Sequence, residues 1–214
     1  MSELLPAQGR FRDVHEERLT HRLEAFSDIV LGFSLAELSL NFVIPPRPEA
    51  VYTNVVTPVA FAFTFFIVSL TWYAHHRLFE YFFVPRVSTI VLNFVTLGLV
   101  VWLVYQLQVY ARFANTIHHA FAATSYIVSF SVVWTMLGVM YAVCVKLRWP
   151  EIGVADRHAG VFAIGRIGSV GIGTLLTVMV LRALRWPPEI SFWFIPVWAV
   201  AWRAGAARFL RTEA

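Results

Sequence analysis

Two carboxylates, Asp28 and Glu37, sit inside the otherwise apolar stretch Arg22 to Ile44, RLEAFSDIVLGFSLAELSLNFVI. The stretch is long enough to cross a bilayer, since about 20 residues at 1.5 Å each span the roughly 30 Å hydrocarbon core. A spanning helix does not keep an acid such as Glu37 near mid-depth unless something polar faces it. Ionisable residues in such places mark ion or proton pathways, or buried pairs. Arg166 is the other charge that falls inside an apolar run, and it is a candidate partner for Glu37.

Other reactive side chains point nowhere as specific. His75-His76 and His118-His119 are adjacent pairs. Neighbours on a helix diverge by about 100°, which suits bidentate ligation poorly, so no metal or haem site is expected. Cys144 is the single cysteine and excludes an intrachain disulfide. It reads as a small buried hydrophobe. No nucleophile elbow, phosphate loop or Cys/His metal spacing occurs, so neither catalytic residues nor a cofactor are expected and nothing points to an enzyme.

The elements that must position these groups are membrane helices. The chain is 58% hydrophobic and only 14% charged, with a mean hydropathy of +0.66. A soluble domain would carry about 25% charged residues. Six apolar segments run about 23–44, 53–83, 87–111, 118–146, 158–181 and 189–210. Proline-containing junctions at Pro45-Pro46, Pro85, Pro150 and Pro187-Pro188 separate several of them. Each run is too long for a barrel strand. The fold class expected is an all-α integral membrane protein with six transmembrane helices, in a multi-pass arrangement in a cell membrane. Residues 1–21 form a cytoplasmic N-terminal segment without a visible signal peptide, 22–211 the membrane domain and 212–214 a tail. Counting Lys and Arg, with Arg166 left out, places twelve on the N-terminal side and only Arg47, Arg112, Arg182 and Arg185 on the other. Both termini are therefore expected to be cytoplasmic. The basic excess sets topology or meets anionic lipid; nucleic acid is not an expected partner. Gly165, Ser169 and Gly173 recur at four-residue spacing and would let another helix backbone approach closely. Most of the tryptophans read as interfacial anchors.

Antiparallel first and second helices bring TWYAHHRLFEYF (71–82) level with the start of the first span. A polar cluster of Arg22, Ser27, Asp28, Trp72 and His75 is predicted, with Arg22 meeting the C-terminal carbonyls of the second helix or Glu80. Such a cluster can be a hydrogen-bonded clasp with no transport chemistry of its own.

Arg22-x-x-x-Phe26-Ser27-Asp28 resembles the signature of the transmembrane protein 175 family of endolysosomal potassium channels and their prokaryotic relatives. Trp72-x-x-His75-His76 is similar to that family's pattern in the second span. The resemblance covers about a third of the chain and implies a homotetramer whose first helices surround a pore for potassium or another monovalent cation. It also implies a hydrophobic constriction in place of a carbonyl filter, and a structural rather than pore-lining role for the Phe-Ser-Asp residues. Carried over by position, Phe33 would be the gate. Glu37 and Leu40, four and seven residues on, share its face. Glu37 departs from the small or aliphatic residue of the family. It can form an acidic ring around a four-fold axis, or turn sideways and pair with Arg166. The rival readings are a proton pathway or proton-coupled carrier using Glu37, and a non-conducting structural membrane protein.

Overall fold

A computed structural model of the chain describes the backbone of residues 7–40, 47 and 56–202, and side chains from residue 14 onward within those segments, residues 56 and 57 apart. It consists of helices: α1 (Ala7–Leu40), α2 (Val56–Tyr81), α3 (Val87–Phe113), α4 (His119–Arg148), α5 (Val154–Ala183) and a 3-10 helix (Pro188–Phe194). Residues 195–202 are helical again. Among the described residues, four helices are long and apolar enough to cross a membrane: Pro58–Tyr81, Val87–Phe113, His119–Arg148 and Val154–Ala183. The apolar part of α1 differs because Glu24, Asp28 and Glu37 all fall within it. Its helix starts at Ala7, well before the expected first span, and residues 41–44 lie outside the described segments. The sixth segment opens as a 3-10 helix after Pro187-Pro188, and only part of it is described.

Sequence dictates the turns. Pro85 cannot continue α2, and the chain reverses into α3 within a few residues. Arg148, at the end of α4, holds the freed carbonyls there: Nη1 donates to Tyr81 O at 3.4 Å and Nη2 to Phe83 O at 3.3 Å. A basic side chain suits this position because it meets the negative end of the α2 dipole.

The side chains pack in two layers. One, around Leu31, Val68, Leu103, Phe130 and Val133, joins α1 to α4. The other, around Leu23, Leu78, Phe83, Leu137 and Ile167, includes Cys144, fully buried as a small hydrophobe. A hydroxyl buried in such surroundings is costly unless it is paired. Ser27, Ser34, Thr64, Thr71, Thr96 and Ser131 each donate to the carbonyl four residues earlier.

The close helix crossing is between α4 and α5. A Cβ added at Gly138 would stand 2.9 Å from the Gly168 Cα, so only glycine allows the backbones to meet there. The stripe expected to serve this purpose does something else. Gly165 and Gly173 seat the indoles of Trp202 and Trp198 from the C-terminal helix, not a helix backbone. Trp198 Nε1 also donates to Thr177 Oγ1 at 3.0 Å. These two tryptophans are therefore packing elements, which corrects their reading as interfacial anchors.

Candidate functional site

The α1 helix packs against α2 and α3 on one side. The 3.6-residue period puts Leu23, Ser27, Leu31, Ser34 and Leu38 on that buried side. The opposite stripe is uncovered: Ile29 is 56% exposed, Phe33 72% and Leu40 84%. Glu37 is exposed on the same face. Phe33, Glu37 and Leu40 thus fall within an arc of about 60° around the helix.

Beside the buried side, α1 and α2 are joined by two polar rungs that are partly open to the surroundings. Trp72 Nε1 donates to Asp28 Oδ1 at 2.8 Å. His76 Nδ1 meets Glu24 Oε1 at 3.0 Å. The four-residue spacing of Glu24 and Asp28 matches that of Trp72 and His76, as antiparallel helices in register require. The Trp72 and His76 rings stack between the rungs, with centroids 5.8 Å apart.

Behind the rungs lies a buried triad. Asn93 of α3 donates from Nδ2 to Ser27 Oγ at 3.1 Å, and its Oδ1 is 2.7 Å from His75 Nε2. Ser27 and Asn93 are both 0% exposed. The Asn93 amide fits this role because it accepts and donates at once, so one side chain ties three helices together. Phe26 packs edge-on against Phe94 at 5.7 Å, next to this triad.

The structure therefore brings together Ser27, Asp28, Trp72 and His75, with Ser27 and His75 linked through Asn93. It leaves Arg22 outside. Arg22 is exposed and makes no ion pair among the described residues. Five residues before Ser27, it points about 140° away from that side chain. The α2 carbonyls it was expected to meet are held by Arg148, and Glu80 pairs with Arg77 at 3.7 Å. Two further residues complete the clasp. Glu24 takes the acidic position, and Asn93 is the hub. Asn93 is a lone amide in the apolar run VLNFVTLGLV, and that isolation is the signal that could have found it.

Glu37 and Arg166 are not brought together. Trp72 fixes the level of Asp28, and Glu37 lies nine residues beyond, about 13 Å farther along α1. Arg166 shares a cavity with Tyr73 and Arg77, at or past Trp72 in the other direction. The two histidine pairs also separate by function. His75 and His76 address different partners, Asn93 and Glu24. At the far end, His119 Nε2 is 2.6 Å from Glu189 Oε1, joining α4 to the 3-10 helix.

Residues 22–103 match the family described as endosomal/lysosomal potassium channel TMEM175. That bears out the family resemblance seen in the sequence, and the match spans the α1 stripe, both rungs and the triad. A curated potassium channel of Marivirga tractuosa is 30% identical over 97 residues, 45% of this chain and 39% of the relative. The match thus spans about two fifths of that relative's length. Two solved structures share the fold more widely. One is a lysosomal potassium-selective channel TMEM175 homolog from Chamaesiphon minutus, at 19% identity and a TM-score of 0.63, covering 88% of this chain and 98% of that one. The other is a single-residue variant of the potassium channel MtTMEM175 in complex with a nanobody fusion protein, also at 19% and 0.63, covering 89% and 93%. With its apolar helices and this fold, the chain is a multi-pass membrane protein.

Proposed function

From a TMEM175-family stretch at residues 22–103, we propose that the chain is a monovalent cation channel, with potassium its cargo. Several copies, four in our reading, meet around an axis with their α1 helices innermost. One observation carries this. The α1 helix is covered on a single side, and its open stripe presents Phe33, Glu37 and Leu40 in line. A ring of Phe33 side chains makes an apolar constriction that gates by excluding water. A ring of Glu37 above it draws cations toward the mouth. Leu40 adds a second apolar layer. The Asp28–Trp72 and Ser27–Asn93–His75 contacts set the tilt and rotation of α1, and so decide which residues reach the axis. Both termini lie in the cytoplasm, following the Lys and Arg asymmetry.

Glu37 also carries the alternative, a proton pathway or proton-coupled carrier, because it lies on the open stripe. Liposome flux with potassium, sodium and protons compared side by side tests the two. A channel gives unitary cation currents that persist at reduced amplitude in the Glu37→Gln variant. A carrier gives slow pH-driven flux that the same substitution abolishes. Absence of cation flux at any pH would favour a non-conducting structural protein.

A further inference from the structure

A cavity of about 650 Å³ opens between α2, α4, α5 and the C-terminal helix, away from α1. Two guanidinium groups line it, Arg77 from α2 and Arg166 from α5. Arg166 lies twelve residues into α5, about 18 Å along a helix long and apolar enough to span the bilayer. A charge at that depth is costly unless water or an opposite charge meets it. Arg166 forms no ion pair among the described residues, and the one lining acid, Asp156, is more than 4.0 Å from it. Arg77 has a partner, Glu80 at 3.7 Å, but both side chains are nearly half exposed, where such a pair is weak. Two cationic forks thus border one space that a single acid, Asp156, lines, while Arg77 also touches Glu80 and the Tyr81 hydroxyl at its edge. The rest of the wall is mostly apolar, with Phe82, Phe162, Ala163 and Trp202, and carries the ring edges and hydroxyls of Tyr73, Tyr81 and Tyr141.

The geometry points to a binding site for an anionic phospholipid. Its phosphate sits between Arg77 and Arg166, and its acyl chains run along the apolar wall. Guanidinium forks match phosphate oxygens in pairs, which a single ammonium cannot do. The occupant is a lipid and not a soluble anion because Arg166 lies inside an apolar helix and most of the wall around it is apolar. Basic pockets between membrane helices hold lipid head groups in this way. Bound there, the lipid joins α2 to α5, two helices that the packing links mainly through α4. The site is separate from the α1 stripe and does not depend on conduction.

Native mass spectrometry of the full-length protein in neutral detergent, titrated with phosphatidylglycerol and with phosphatidylcholine, tests this. Phosphatidylglycerol is expected to bind at least tenfold more tightly. Arg166→Gln should weaken it about tenfold, Arg77→Gln severalfold, and Arg166→Lys less than Arg166→Gln. Asp156→Asn should tighten it, since the repelling acid is gone. Arg182→Gln, at the far end of α5, should change nothing. Equal binding of the two lipids would overturn the assignment. So would phosphatidylglycerol binding unaltered by both glutamine variants. If inorganic phosphate at equal concentration displaces the lipid, the site belongs to a soluble anion and the lipid assignment fails.

Discussion

Asp28 accepts the Trp72 indole hydrogen at 2.8 Å, and four residues away on each helix Glu24 meets His76. The pairing fixes the register of α1 against α2. The Ser27–Asn93–His75 triad behind it adds a second anchor, so α1 is held by polar contacts to both α2 and α3.

Replacing Trp72 by Phe keeps most of the ring and removes the donor. Asp28 then loses its indole donor, at a cost of about 0.5–1.5 kcal/mol for one exposed hydrogen bond. The expected result is a melting temperature lowered by several degrees in detergent. Asp28→Asn, which retains an acceptor oxygen, should lower it less.

Asn93 should matter more than Trp72, because its partners are buried. Asn93→Leu leaves His75 Nε2 and the Ser27 hydroxyl without the amide they share. Each buried group left unsatisfied costs about 1–3 kcal/mol. The thermal melt should fall further than for Trp72→Phe, and less folded protein should survive extraction.

The α4–α5 crossing gives an asymmetric pair of variants. A Cβ at Gly138 meets the Gly168 backbone at 2.9 Å, whereas a Cβ at Gly168 meets nothing within 4 Å. Gly138→Ala should destabilise by about 1–3 kcal/mol through overpacking. Gly168→Ala should leave the melting temperature close to that of the parent.

A pore on the α1 stripe requires more than one copy. The expected native mass is about four times the 24.4 kDa subunit. Substituting Ile29 or Leu40 with Lys should lower that mass, or abolish flux while the subunit still folds. A purified protein that conducts as a monomer would exclude the axis.

Much of this was readable from the chain. The helical period puts Phe33, Glu37 and Leu40 on one face, and a helical wheel shows that much, but not whether the face is covered. Antiparallel order alone places Trp72 near Asp28. What was hidden depended on rotation and on partners from third helices. Arg22 shares a turn with Glu24, yet only Glu24 turns toward α2. Asn93 belongs to α3, and spacing within α1 and α2 carries no trace of it. The Gly165 and Gly173 stripe announces a close approach but not whether a backbone or an indole fills it. The relative depth of Glu37 and Arg166, which the structure does not bring together, is set by packing through α4 and lies beyond spacing within one helix.

The most direct test is covalent block of reconstituted potassium current by a cationic thiol reagent in a Phe33→Cys variant. Cys144 is fully buried, so the parent offers no competing site. Current is expected to fall in Phe33→Cys and to persist in Val101→Cys, on an exposed face of α3. Unchanged current in Phe33→Cys, or equal block at both positions, would contradict a pore lined by α1.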